Sequence, residues 1–262
     1  MTGSVFITGA AAGIGRATAQ KFADEGWLVG VFDIDSVGVQ RALDEIGESA
    51  IGGHLDVTDA EEWNEALAIF TAATGGKLDL LINNAGILRG GRFASTDLAE
   101  HHRTIAINVD GVINGCYAAY PYLLATEGSG VINLCSASAI YGQAELATYS
   151  ASKFAVRGLT EALELEWRKE GIRVQAVWPL FVETAMTEDL KIGSTETLGV
   201  NLTPADVADT IFAMAQPRGV LRRALPTKVH TAVGLPAKAL ATAADLVPSF
   251  LSRELNKRIS RS

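Results

Sequence analysis

The sequence predicts a doubly wound parallel α/β sheet in a single domain with a helical C-terminal tail. Three observations lead there. Short apolar runs of strand length alternate with segments of helical pattern, the order expected of a parallel sheet covered on both faces. The first run passes through a glycine-rich turn, Thr8-Gly-Ala-Ala-Ala-Gly-Ile-Gly15, straight into a helix. The polar residues that stand out sit at the carboxyl ends of the runs, where open parallel sheets bind their ligands.

Taken in order, Ser4–Thr8 is the first strand and Arg16 to Glu25 its helix, with Ala19, Phe22 and Ala23 apolar. Glycines let a backbone approach a pyrophosphate, and a helix N-terminus offers it unpaired N–H groups. A tight structural turn needs the same residues, so this turn alone decides little. Trp27 to Asp33 is a second buried strand ending in an acid, 18 residues past Gly15. An acid so placed accepts hydrogen bonds from an adenosine ribose and repels a 2′-phosphate; the bland alternative is a strand-end turn residue. Ile34 follows, where a phosphate-reading site would favour arginine, so NAD is expected over NADP.

A helix (Ser36 to Gly47) and a third strand (Ala50 to Leu55) lead to Asp56, Val57, Thr58 and Asp59, which precede a helix starting near Ala60. Thr58 or Asp59 is its cap, with Glu61 and Glu62 favourable at the positive end. The fourth strand, from Leu78, ends in Asn83, Asn84, Ala85 and Gly86. A long helix, Asp97 to Ala125, carries Asn108 in its middle, a mediocre helix former in need of a reason. Val131 to Cys135 is the fifth strand and Ile172 to Trp178 the sixth, ending at Pro179.

Between those last strands lies the stretch with chemistry. Ser136 closes the fifth strand, and Tyr149 and Lys153 open a long helix four residues apart, hence on one face. A free tyrosine titrates near ~10, too high for proton transfer at neutral pH. A nearby ammonium favours the phenolate, and Ser136 supplies a hydroxyl to hold a reacting oxygen. The set suits moving a proton on or off an alcohol.

Jointly and in order, these residues resemble the short-chain dehydrogenase/reductase family, from about Ser4 to Thr227. The resemblance implies a Rossmann-like catalytic domain over residues 1–227 and an amphipathic extension over 228–262. It implies cofactor contacts from Gly9, Ala12, Gly13, Ile14, Gly15, Asp33, Ile34, Asp56, Val57, Asn84, Ala85, Gly86, Pro179, Val182 and Thr184, with Tyr149 and Lys153. It makes Asn108, Ser136, Tyr149 and Lys153 a catalytic set. Tyr149 is then the acid/base, Ser136 orients the substrate oxygen, Lys153 lowers the tyrosine pKa and holds a ribose, and Asn108 holds a relay water. The cofactor, NAD, supplies the hydride chemistry. Two features depart from the family: Pro179 is followed by Leu180 where glycine is usual, and the chain ends in a tail of its own.

Substrate contacts are expected from the segments Ser138 to Leu146 and Leu180 to Met186 and from the loop after Gly86, chiefly Ser138, Tyr141, Leu146, Leu180, Phe181 and Met186. The first two segments are mostly apolar, which points to a hydrophobic secondary alcohol or ketone. Arg89 and Arg92 read as solvated loop arginines, and Ala185 to Asn201 as a lid. The competing readings are a carbonyl, lipid or acyl reductase working mainly in reverse, and a non-catalytic NAD sensor on the same fold.

A net charge of −8 argues against a nucleic-acid partner. Cys116 and Cys135 lie in apolar segments without paired spacing, and the histidines form no ligand pair; reduced thiols, a cytoplasmic setting and no metal are expected. The first strand begins by Ser4, leaving no room for a signal peptide. A homodimer or homotetramer is expected, although tetramer assembly does not carry over to this tail. The tail from Lys228 to Ser262 has a net charge of +4 and two helices punctuated by Pro236 and Pro248. It packs on its own or a partner subunit as a roof over the pocket, lies on an anionic membrane surface, or completes the core; the first is favoured.

Overall fold

The computed structural model describes residues 3–188, 200–216 and 228–246. Seven parallel strands form one sheet in the order β3-β2-β1-β4-β5-β6-β7. The strands are β1 (Ser4–Thr8), β2 (Leu28–Asp33), β3 (Ala50–His54), β4 (Leu80–Asn83), β5 (Gly130–Leu134), β6 (Arg173–Trp178) and β7 (His230–Ala232). The helices are α1 (Gly13–Asp24), α2 (Ser36–Ile46), α3 (Ala60–Ala72), α4 (Leu98–Ile105), α5 (Gly111–Leu124), α6 (Ala147–Trp167), α7 (Ala185–Glu188), α8 (Pro204–Ala215) and α9 (Leu235–Leu246). The chain winds outward from β1 in one direction and from β4 in the other. A crevice therefore opens between their carboxyl ends.

Period-two alternation splits the strands between two cores. Phe6 and Phe32 face one side and stack at 4.3 Å, with Trp63 and Phe70 of α3 against them. Val5, Ile7, Val29 and Val31 face the other, where Phe22 of α1 meets Phe212 of α8 edge-on at 5.1 Å. Through the middle runs a polar ladder: Asn83 donates to Asn133 Oδ1 at 2.9 Å, and Asn133 donates to Thr160 Oγ1 at 2.9 Å. These bonds tie β4, β5 and α6 into one register below the crevice.

Two elements differ from the sequence expectation. The helix expected from Asp97 to Ala125 is continuous in direction but changes winding. Residues Ala106–Asp110 form a π-helical stretch between α4 and α5, and Asn108 lies within it. The sheet also has a strand drawn from the segment read as a helical tail. His-Thr-Ala is too short and polar to register as a strand, but β7 pairs with β6 at Ala176, Val177 and Trp178. His230 stacks on Trp178 at 4.4 Å, and Glu161 of α6 bonds its ring at 2.8 Å. Helix α9 begins around Pro236 as expected; Ala237 is fully buried, and the helix packs on the Ala137–Ala139 turn. The helix expected after Pro248 lies outside the described residues, as does most of the expected lid.

Cys116 and Cys135 are buried, and burial pushes their thiols up to about 12 and about 11. A thiol reagent at about pH 8 is therefore expected to find neither cysteine in the native protein and both after denaturation. Rapid native labelling would show that these walls open. Among the described residues no helix is long and apolar enough to cross a membrane.

Candidate active site

The crevice is a cleft of about 380 Å³, lined from the glycine-rich turn and Asp33 at one end to Ser136, Tyr149, Leu180 and Met186 at the other. At the first end Gly9 has φ +64, and a Cβ there would lie 2.8 Å from the Ala85 Cα, so the turn fits only glycine. Asn84 braces it, donating through Nδ2 to the carbonyls of Thr8 (2.8 Å) and Gly9 (2.9 Å). Thr8 Oγ1 accepts the N–H groups of Asn84 and Ala85 in return. Helix α1 starts here with no side-chain cap and no acid in its first turn. Its positive end is thus left to an anion.

Asp33 closes β2 beside this turn. Its Oδ2 accepts the Ala11 N–H and its Oδ1 the Asp35 N–H, both at 3.0 Å, which fixes the carboxylate toward the cleft. Ile34 stands 60% exposed next to it. The nearby cations are engaged elsewhere, Arg16 with Glu45 and the Ala42 carbonyl, Arg41 with Asp35. A turn open to a pyrophosphate, a fixed acid for a ribose and, among the described residues, no free cation at Ile34 together fit a dinucleotide without a 2′-phosphate.

At the other end, Ser136 extends from β5 as the cap of a short turn, its Oγ accepting the Ser138 N–H at 3.1 Å. Lys153 is 5% exposed; its ammonium donates to the Leu134 carbonyl at 3.0 Å and lies 5.5 Å from the Tyr149 ring centre. The net shift of the Tyr149 pKa is upward, not the expected lowering. Burial pushes the phenol well above its ordinary value, a hydrogen bond with Ser136 pulling only partly back. Burial likewise pushes the Lys153 ammonium down. Desolvation outweighs attraction because both groups sit at the cleft floor and the ammonium is directed at a carbonyl.

Asn108 does not line the cleft. It clamps the loop after Gly86, accepting the Ile87 N–H at 2.8 Å and donating to the Ile87 carbonyl at 2.9 Å and to Ser152 Oγ at 3.1 Å. Such π-stretches often mark functional positions. Here it brings one amide to both the β4 loop and α6.

Three other expectations are corrected. Gly15 does not reach the cleft surface; a Cβ there would lie 2.1 Å from the Gly9 carbonyl oxygen, so it serves close helix–strand packing. Tyr141 and Leu146 do not line the cleft either. Leu146 turns inward, 1% exposed, onto Phe181, while Tyr141 directs its hydroxyl into the loop interior. Among the described residues the lining ends at Met186 in sequence and includes none of 228–246. Ser138, Leu180, Phe181 and Met186 do line it, as do the other expected cofactor residues. Leu180 sits without strain, since Glu145 is the only non-glycine with positive φ among the described residues.

Sequence reasoning did not single out Gln143 and missed Arg103 in the lining, while Leu88 falls in the expected loop after Gly86. Gln143 fell inside the segment expected to contact substrate but was passed over for its apolar neighbours. Arg103 lies one helical turn before Ile107, a position with no motif to flag it. Arg89, by contrast, pairs with Glu100 at 2.9 Å outside the cleft.

Residues 4–194 match the family described as short chain dehydrogenase. The chain is 37% identical over 221 residues to trans-4-hydroxycyclohexanecarboxylate dehydrogenase of Sinomonas cyclohexanicum, spanning 80% of this chain and 84% of that one. It is 35% identical over 187 residues to 2,5-dichloro-2,5-cyclohexadiene-1,4-diol dehydrogenase LinX of Sphingobium indicum, spanning 70% and 74%. Among solved structures, 3-ketoacyl-(acyl-carrier-protein) reductase from Brucella melitensis, complexed with NADH, superposes with a TM-score of 0.80 at 28% identity, covering 88% of this chain and 96% of that one.

Proposed function

Since the chain belongs to the short chain dehydrogenase family, we propose that it is an NAD-dependent oxidoreductase interconverting a cyclic, largely hydrophobic secondary alcohol and its ketone. The observation that carries this reading is the convergence of Ser136, Tyr149 and Lys153 on one cleft whose opposite end fits a dinucleotide. The glycine turn, the α1 N-terminus, Asp33, Asp56 and Val57 would hold the pyrophosphate and adenosine. Asn84 to Gly86, Pro179, Val182, Thr184 and Lys153 would hold the nicotinamide end. When bound, NAD accepts or returns the hydride.

The chain's own residues manage the proton. Ser136, which lines the cleft with Tyr149, holds the substrate oxygen against the phenol. In oxidation the phenolate takes the hydroxyl proton; in reduction the phenol returns one to the developing alkoxide. Lys153 places a positive charge at the cleft floor, which favours both anions. Leu180, Phe181 and Met186 pack the hydrocarbon body and exclude water from the transfer. The solved NADH complex and the ring substrates named for the relatives support the cofactor and the substrate class.

The test is a panel of cyclohexanols, steroid alcohols, aliphatic alcohols and 3-oxoacyl thioesters with NAD or NADH. Turnover is expected to be highest with ring alcohols and their ketones. A preference for the thioesters would move the protein to the reductive reading, and NAD binding without any turnover would make it a sensor. Exposed Ile113 and Tyr117 on α5, with Phe154 and Leu165 on α6, support the expected homo-oligomer, whose mass sedimentation would give.

A further inference from the structure

The loop between β5 and α6 holds a polar side chain with no bonding partner among the described residues. Gln143 is 3% exposed, and neither its amide nitrogen nor its amide oxygen makes a hydrogen bond among the described residues. Yet the residue lines the cleft together with Ser136, Ser138 and Tyr149. An amide taken out of water is strongly disfavoured unless bonded, and an orphan of this kind in a folded protein calls for a ligand.

The loop that carries it is built rather than loose. The Gln143 N–H donates to Ser150 Oγ at 3.1 Å, and its carbonyl accepts the Leu146 N–H at 3.2 Å. Two residues on, Glu145 holds φ +64, and its carbonyl accepts the Gly91 N–H at 2.8 Å. A non-glycine residue kept in the left-handed region stores strain, which clusters at ligand clamps. Tyr141 lies near the amide: burial pushes its phenol up and Gln143 pulls it partly back, though the pair is outside hydrogen-bond geometry. An amide has two distinct ends, and whichever end turns to Tyr141, the other has no partner among the described residues.

We propose that Gln143 is a specificity-determining residue whose amide hydrogen-bonds a second oxygen function on the substrate. The preferred substrate is then a ring alcohol that carries a further hydroxyl or carbonyl group, not a plain hydrocarbon alcohol. This rests on the oxidoreductase reading and deepens it. The apolar ring packs on Leu180 and Phe181, its reacting oxygen meets Ser136 and Tyr149, and its second oxygen satisfies the buried amide.

The test uses binding as well as turnover. Tyr149→Phe protein loaded with NAD is titrated calorimetrically with cyclohexanol and with each positional isomer of cyclohexanediol. At least one diol is expected to bind about tenfold more tightly than cyclohexanol, the scale of one net hydrogen bond in a buried site. Adding Gln143→Met, close in size but without the amide, is expected to erase that gap by weakening the diol and sparing cyclohexanol. Gln143→Leu serves if the methionine variant does not fold, and the ratio in the unmutated loop stands without any variant. Equal affinity for all the ring alcohols overturns the proposal. A diol preference that survives loss of the amide also overturns it, leaving Gln143 a structural residue. Wild-type protein that turns over no alcohol with NAD counts against the oxidoreductase reading alone, because the binding ratio still decides the role of Gln143.

Discussion

Tyr149→Phe is expected to lower turnover by about 10³-fold or more while leaving NADH affinity within about twofold, because it removes one ionisable oxygen and keeps the ring. The direction of its pH dependence follows from the site. Burial raises the phenol, so the phenolate that oxidation needs is scarce at neutral pH. Alcohol oxidation by the wild-type protein is therefore expected to climb from about pH 7 into the alkaline range. Ketone reduction needs the phenol, so it holds flat near neutrality and falls only at the alkaline end. Lys153→Ala should damage turnover and NADH affinity together, and shift the oxidation profile further to the alkaline side. Its ammonium lies 5.5 Å from the centre of the phenol ring. Near-wild-type turnover by Tyr149→Phe at saturating substrate would remove tyrosine from the chemistry. An oxidation rate that is flat with pH would remove its titration from the rate-limiting step.

The parts of this site legible in the sequence share a physical cause. Strand-end residues are fixed by the sheet, so Gly9, Asp33, Asn84 and Ser136 fall at the crevice once the strands are recognised. Helical periodicity puts Lys153 on the face of Tyr149. What the sequence hides is direction inside loops. Tyr141 and Leu146 look like pocket walls because they are apolar, but a loop that buries its own hydrophobics turns them away from the cleft. Gln143 looks like a loop polar group, and it is the one facing in. Strand β7 escapes for another reason: three residues carry too little pattern, and the strand exists because β6 offers an open edge and Trp178 a surface for His230. The electrostatics were also hidden. Sequence spacing sets Lys153 near Tyr149, but only the fold shows that Lys153 is buried, that Tyr149 is partly so, and that the ammonium is bonded to Leu134.

The cofactor preference gives the other large effect. The wild-type protein is expected to use NAD over NADP by about 100-fold in kcat/KM, since a 2′-phosphate would displace hydrogen bonds to a carboxylate worth about 1.5–3 kcal/mol and meet its charge. Asp33 does two jobs, however. Its Oδ2 also holds the Ala11 N–H in the glycine turn, so Asp33→Ala should loosen the pyrophosphate cradle and weaken both cofactors. Ile34→Arg separates charge from scaffold, because the exposed isoleucine adds nothing to the turn and Arg16 and Arg41 are already engaged. The single variant should narrow the gap by about tenfold through a gain with NADP, leaving NAD use nearly intact. The double variant should reverse the preference at lower efficiency with either cofactor. A gain in NADP use from Ile34→Arg that vanishes at high salt would mark an exposed charge pair, whereas one that persists would mark a directed bond to the phosphate. Equal wild-type efficiency with NAD and NADP would exclude Asp33 as the discriminator and leave it as a brace for the turn.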